Sequence, residues 1–189
     1  MKQLNLAYLL QYEAFNKMLT LQKNLLLMYT KKFDVRWNDL DANQHLGNSA
    51  YIEFMSHTRM SFLTKQGVGL DVMNSFGLGP IVFYEHIYYF KEVLLGEAIT
   101  VSLEVQGHSE DGRFVMIEHN FYDEKGRNLA YSEILFSWID LNTRKLGKIP
   151  NELLQKIKFF PRSKTFKFLT KEDIRKHGKR AIDLAVKTV

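Results

Sequence analysis

From residue 81 to residue 140 the chain is rich in Val, Ile, Tyr and Phe and is interrupted only by short turn signals. No other feature narrows the fold as much. Four extended runs cover roughly 81–94, 98–108, 113–123 and 127–140, joined by Leu95-Gly96-Glu97, Glu110-Asp111-Gly112 and Asp123-Glu124-Lys125-Gly126. A parallel crossover needs about a dozen residues or more, so links this short join antiparallel neighbours.

Ahead of these runs Tyr51, Phe54, Met55, Phe62 and Leu63 recur at helical spacing and form one apolar stripe. Asn48 or Ser49 can cap it, and Gly67 and Gly69 can end it, which predicts one helix over residues 48–66. Ile52 and Met60 widen the stripe, so this helix is expected to be largely buried. Further upstream Phe33, Val35 and Trp37 alternate and predict a first strand over 31–37. The expected fold is α+β: one long helix packed on an antiparallel sheet of about five strands. Residues 4–27, 151–158 and 170–187 read as additional helices. The expected division is an accessory helix over 1–28, a main domain over 29–148 and a basic helical extension over 149–189.

Composition removes several classes of function. Apolar residues make up 46% of the 189 residues, enough for a real core, so whole-chain disorder is excluded. There is no cysteine, which excludes a thiol nucleophile, a thiolate metal site and a disulfide framework. The N-terminal apolar pieces are short and split by Glu13, Lys17 and Lys23, and no small-residue cleavage site follows them. A cytoplasmic protein without stable membrane insertion is therefore expected. The net charge of +5 is unevenly placed: residues 156–189 carry +8 and the rest −3. Such a tail suits an anionic partner or is simply a solvated face; no nucleic-acid partner is expected.

The chemistry-bearing stretch runs from Asp39 to Asn48. It packs two carboxylates, three carboxamides and an imidazole into ten residues directly before the predicted helix. A helix N-terminus carries unpaired N–H groups and partial positive charge, and it can polarise a carbonyl and stabilise an oxyanion. A carboxylate or imidazole beside it can act as base or nucleophile. The same residue types are also ordinary cap and loop residues. No second histidine stands at local ligand spacing, so no metal is expected here.

The string Arg36-Trp-Asn-Asp-Leu-Asp-Ala-Asn-Gln-His-Leu-Gly-Asn-Ser-Ala-Tyr51 resembles the signature of 4-hydroxybenzoyl-CoA thioesterase-like hotdog proteins. Its section from Asp39 to Asn48 is similar to the acyl-ACP thioesterases. The resemblance implies a hotdog fold and hydrolysis of an acyl thioester on CoA or a carrier protein, without a cofactor. It also implies a homodimer, or a dimer of dimers, with sites at the interface. It maps the catalytic positions onto Asp41, Asn43 and His45. A further Glu falls on Glu92, with Glu85 as the alternative. Substrate contacts fall on Gly47, Asn48 and Tyr51, and Asn48 lies nearest the backbone donor for an oxyanion. Gly47 departs from relatives that often carry Asn there. Asp41 as nucleophile, and water activation through His45 with Asn43 and Glu92, both remain open. So do a non-hydrolytic acyl-carrier binding module and a hotdog hydratase or dehydratase. Arg59 reads as an ion-pair or helix-terminal residue. Lys91, Arg113 and Arg127 read as solubility residues that could also meet a CoA phosphate. The aromatic run at 83–90 reads as core and dimer edge.

Overall fold

The computed structural model describes residues 28–184, so all but the last residue of the expected N-terminal helix lies outside the described residues. The elements follow in the order β1 (Tyr29–Asp34), a 3-10 turn (Trp37–Asp39), α1 (Asn48–Lys65), α2 (Leu70–Ser75), β2 (Leu78–Tyr89), β3 (Ala98–His108), β4 (Phe114–Tyr122), β5 (Asn128–Asp140), α3 (Asn151–Lys158), β6 (Arg162–Phe168) and α4 (Lys171–Arg175). The sheet order is β1-β3-β4-β5-β2, and β6 adds to β3. Every pairing is antiparallel except β6 with β3. This is the expected helix-on-sheet arrangement, with six strands among the described residues.

Strand alternation builds the core. Leu103, Val105, Val115, Ile117, Ile134 and Phe136 turn one face of the sheet toward α1, where Phe62 and Leu63 meet them. Burying each such side chain contributes about 1.5–3 kcal/mol. Tyr51, Phe54 and Met55 on α1 pack nearer its N-terminus against Ile99, Val101 and Phe121. Ile52 departs from expectation: it is exposed, because the buried positions of α1 follow the narrower row Tyr51, Phe54, Met55, Thr58, Phe62.

Two sequence expectations are corrected at the ends of strands. Trp37 does not continue β1; it is 73% exposed in the 3-10 turn, because Asp39 reaches back to cap the turn at Arg36. The first long run stops at Tyr89, so Glu92 stands past the strand end. The C-terminal region is also less helical than its sequence suggests. Residues 151–158 are helical, but among the described residues beyond 170 only Lys171–Arg175 is α-helix, and 162–168 is a strand. That strand can reach β3 because residue 107 is glycine: a Cβ there would lie 2.6 Å from the Lys167 carbonyl oxygen. α3 packs beside α1 on the inner face, with Phe160 edge-on to Phe62. β2 is a sheet edge, and Val82, Phe83, Tyr88, Tyr89 and Phe90 are exposed along it.

Candidate active site

The loop between β1 and α1 is built from its two aspartates in different ways. Asp39 is 4% exposed. Its carboxylate accepts from the Arg36 backbone N–H at 2.8 Å and from the Arg36 guanidinium through both oxygens, at 2.8 and 3.1 Å. Those hydrogen bonds hold its carboxyl below the usual carboxylate range, against the opposing effect of burial. Asp41 is exposed and organises the loop from within. Its Oδ1 accepts from the backbone N–H groups of Asn43 at 2.8 Å and His45 at 3.2 Å. The Asp41 N–H in turn donates to the His45 carbonyl at 2.8 Å, and Gln44 between them takes φ +64°. Asx turns and left-handed residues are the usual product of such side-chain-to-backbone bonds.

The loop is then stapled to the segment after β2. The Leu46 N–H donates to the Val93 carbonyl at 2.8 Å, and His45 bridges to Leu94. This brings Glu92 to the imidazole: His45 Nε2 lies 3.0 Å from Glu92 Oε2. The pair is open to solvent, at 40% and 62% side-chain exposure. Of the two glutamates left open by sequence, Glu92 meets His45.

The helix entrance has a different cap from the one expected. Gly47, not Asn48 or Ser49, is the N-cap residue, and no side chain caps the helix. The Gly47 N–H donates to the Asp39 carbonyl at 2.8 Å, while Ala50 and Tyr51 donate back to the Gly47 carbonyl. Among the described residues, the N–H groups of Asn48 and Ser49 have no hydrogen-bond partner. They belong to exposed residues that directly follow Gly47, and a Cβ on Gly47 would lie 3.7 Å from the Asp41 Cβ. A Cβ on Gly47 would make only ordinary contacts, the nearest 3.5 Å from the Asp39 carbonyl oxygen, so the backbone does not require glycine there. Tyr51 is buried between Tyr89 and Phe121, so its ring supports the loop from the core. Burial and the neighbouring Tyr89 push its hydroxyl up to about 12.

A second ionic cluster lies under the middle of α1. The Arg59 guanidinium donates to Glu85 at 3.0 Å and sits 3.4 Å from His119 Nε2. His119 Nδ1 lies 2.6 Å from the Ser102 carbonyl. Nδ1 therefore carries the hydrogen and Nε2 accepts from Arg59. Burial, reinforced by the Arg59 charge, pushes the His119 imidazole down to about 3. Arg59 also borders a cavity of about 190 Å³ walled by Met60, Phe62, Leu103, Ile117 and Phe136. Sequence reasoning missed this cluster as a unit. The available signal was a charged or imidazole side chain in the inward phase of a strand, at Glu85 and at His119.

Residues 35–157 match the family model described as the thioesterase-like superfamily. The chain belongs to this superfamily. The long-chain acyl-CoA thioesterase FadM of Escherichia coli is 26% identical over 124 residues, covering 65% of this chain and 92% of FadM. Among solved structures, the probable thioesterase YbaW of Escherichia coli has a TM-score of 0.60 at 25% identity, over 69% of this chain and 96% of YbaW. A hypothetical protein from Staphylococcus aureus in complex with CoA has a TM-score of 0.67 at 21% identity, over 84% of this chain and 97% of that one. In this thioesterase-like chain Lys91 and Arg127 line the same surface groove as Glu92. Arg127 is paired with Asp123, and Arg113 with Asp111. No helix among the described residues is long and apolar enough to cross a membrane.

Proposed function

We propose that this chain hydrolyses acyl-CoA thioesters, with long-chain acyl groups favoured, at a site centred on Asp41. The carrying observation is the exposed Asp41 carboxylate, fixed by two loop N–H donors, beside the unpartnered N–H groups of Asn48 and Ser49. A thioester carbonyl placed at those N–H groups is polarised, and its tetrahedral intermediate is stabilised by donors already in position. Asp41 then either attacks the carbonyl carbon, expelling the thiolate and leaving a mixed anhydride that water cleaves, or takes a proton from a water that attacks the carbon and expels the thiolate. The His45–Glu92 pair handles the proton that the departing thiol must receive. Asn43 is an exposed residue of the same loop and donates its backbone N–H to Asp41. The likeness to FadM supports CoA as the carrier and a long chain as the acyl group.

The same reading includes a homodimer acting in the cytoplasm. The cavity of about 190 Å³ is smaller than the roughly 300–1,000 Å³ usual for a ligand site. It opens past Pro80 and Val82 at the exposed β2 edge. A second copy pairing along β2 would cover the exposed aromatic row and complete the wall. The test is thiol release from acyl-CoAs of increasing length, with the same acyl groups offered on carrier protein, alongside the molecular mass in solution. Hydrolysis strongest with long-chain acyl-CoA, by a dimer, is expected. No release from any thioester would overturn the reading, and release from carrier protein alone would overturn the choice of CoA.

A further inference from the structure

The outer face of the sheet, turned away from α1, carries a group that the thioesterase reading does not use. Glu85 points inward to Arg59, so His86, the next residue on β2, points outward. His86 is the register partner of Glu133 on β5. His177, just beyond α4, folds over the same spot. One ligand atom from each of His86, Glu133 and His177 lies within 4.8 Å of the other two. The two imidazole centroids are 4.3 Å apart. Tyr84 supports them, donating its hydroxyl to Glu133 Oε1 at 3.3 Å and stacking near both histidines.

We propose that His86, Glu133 and His177 bind a divalent transition-metal ion of the zinc type, which pins the C-terminal segment to the outer face of the sheet. Two imidazoles and one carboxylate are a common zinc ligand set, held at about 2.0–2.2 Å, with one position left for water. His177 Nε2 is 3.9 Å from Glu133 Oε1, beyond hydrogen-bond range. Two protonated imidazoles at this separation would repel, whereas two neutral ones can share a cation. The sheet side of the site is acidic, while the tail around His177 is basic. Glu133 is followed across the sheet by its register partner Glu118, and Glu118 by Glu104. Tyr84 serves as the outer partner that orients the ligating carboxylate, as metal sites generally require. Because the ligands come from β2, β5 and the tail, the ion would cross-link elements far apart in sequence.

The experiment uses the full chain, stripped with a chelator and titrated with ZnCl₂ by calorimetry and with CoCl₂ by visible absorbance. One zinc per chain is expected, with a cobalt spectrum of tetrahedral intensity. His86→Ala, His177→Ala and Glu133→Gln should each weaken zinc binding at least tenfold, while His45→Ala and His57→Ala should retain it. Circular dichroism identifies any variant that fails to fold, and His177→Ala, at an irregular exposed segment, keeps the test decisive. Zinc should also slow tryptic cleavage after Lys176 and Lys179 at least tenfold in the parent and not in His177→Ala. Absence of saturable binding, or binding that survives His86→Ala and His177→Ala, would overturn the proposal. Binding abolished by His45→Ala would overturn it too, by moving the ion to the loop.

Discussion

Two clusters along α1 use the same residue types and reach opposite states. At the helix entrance, Asp41, His45 and Glu92 stand in solvent with hydrogen-bonding capacity left over. Under the helix centre, Arg59, Glu85 and His119 are packed away, and each hydrogen-bonds within the protein. Groups spent on one another and largely covered are less available for proton exchange with a substrate than groups standing in solvent. The buried cluster instead fixes the helix to the sheet, and the exposed one is available for chemistry. Carboxylate and imidazole composition alone does not separate these roles; unspent donors and acceptors facing solvent do.

The sharpest way to break this contrast is to remove the exposed imidazole. His45→Ala should lower kcat by ~10²–10³, the range for losing a positioned acid–base group, and leave the thermal midpoint within roughly 2 °C of the parent. A large fall in the midpoint with little change in kcat would reverse the roles assigned to the two clusters. The matching change in the buried cluster is Glu85→Ala. It strands the Arg59 charge and should cost about 3–5 kcal/mol in urea unfolding. Turnover of the folded protein should change far less than in His45→Ala. The double replacement Arg59→Met with Glu85→Leu should recover much of the lost stability, since well-packed apolar pairs often replace buried ion pairs without penalty.

A further effect, gradual in pH, comes from His119. Its folded value of about 3 lies below the ordinary 6.5. The unfolded chain therefore binds a proton that the folded one refuses. The stabilisation is complete above about pH 6.5 and is lost progressively as pH falls toward 3, by up to about 1.4 kcal/mol per pH unit. His119→Gln should flatten the fall in urea midpoint between pH 6.5 and 4.5. An equal slope in parent and variant would show that His119 takes up its proton without unfolding.

Much of the fold was legible because its signals are local. Gly and Asp turns with alternating runs placed β2 to β5, and the stripe from Tyr51 to Leu63 placed α1 within a residue at its end. The loop was legible for the same reason, since Asp41 bonds only to neighbours within four residues. What escaped depends on contacts distant in sequence. β6 buries little but Ser163 and Phe166, and it becomes a strand by meeting β3 at Gly107. Arg59 meets Glu85 across 26 residues and His119 across 60, so no local spacing joins them. Trp37 read as a strand residue because its apolar phase fits, yet the Asp39 side chain turns the backbone first. The helix cap was misassigned because Asn48 and Ser49 are the better capping types, whereas the loop backbone fixes Gly47 through the Asp39 carbonyl.

The central claim is that Asp41 does chemistry and Asp39 holds the loop, although the two are only two residues apart. The direct measurement compares Asp41→Asn and Asp39→Asn for kcat on one long-chain acyl-CoA and for urea midpoint. Asp41→Asn removes a charge but keeps an acceptor for the Asn43 and His45 N–H groups. It should lower kcat by ~10²–10⁴ with little loss of stability. Asp39→Asn breaks the two-oxygen contact with Arg36 and should lower the urea midpoint more than Asp41→Asn does, with turnover of the folded protein nearly retained. Full activity in Asp41→Asn together with an inactive, stable Asp39→Asn would contradict the account.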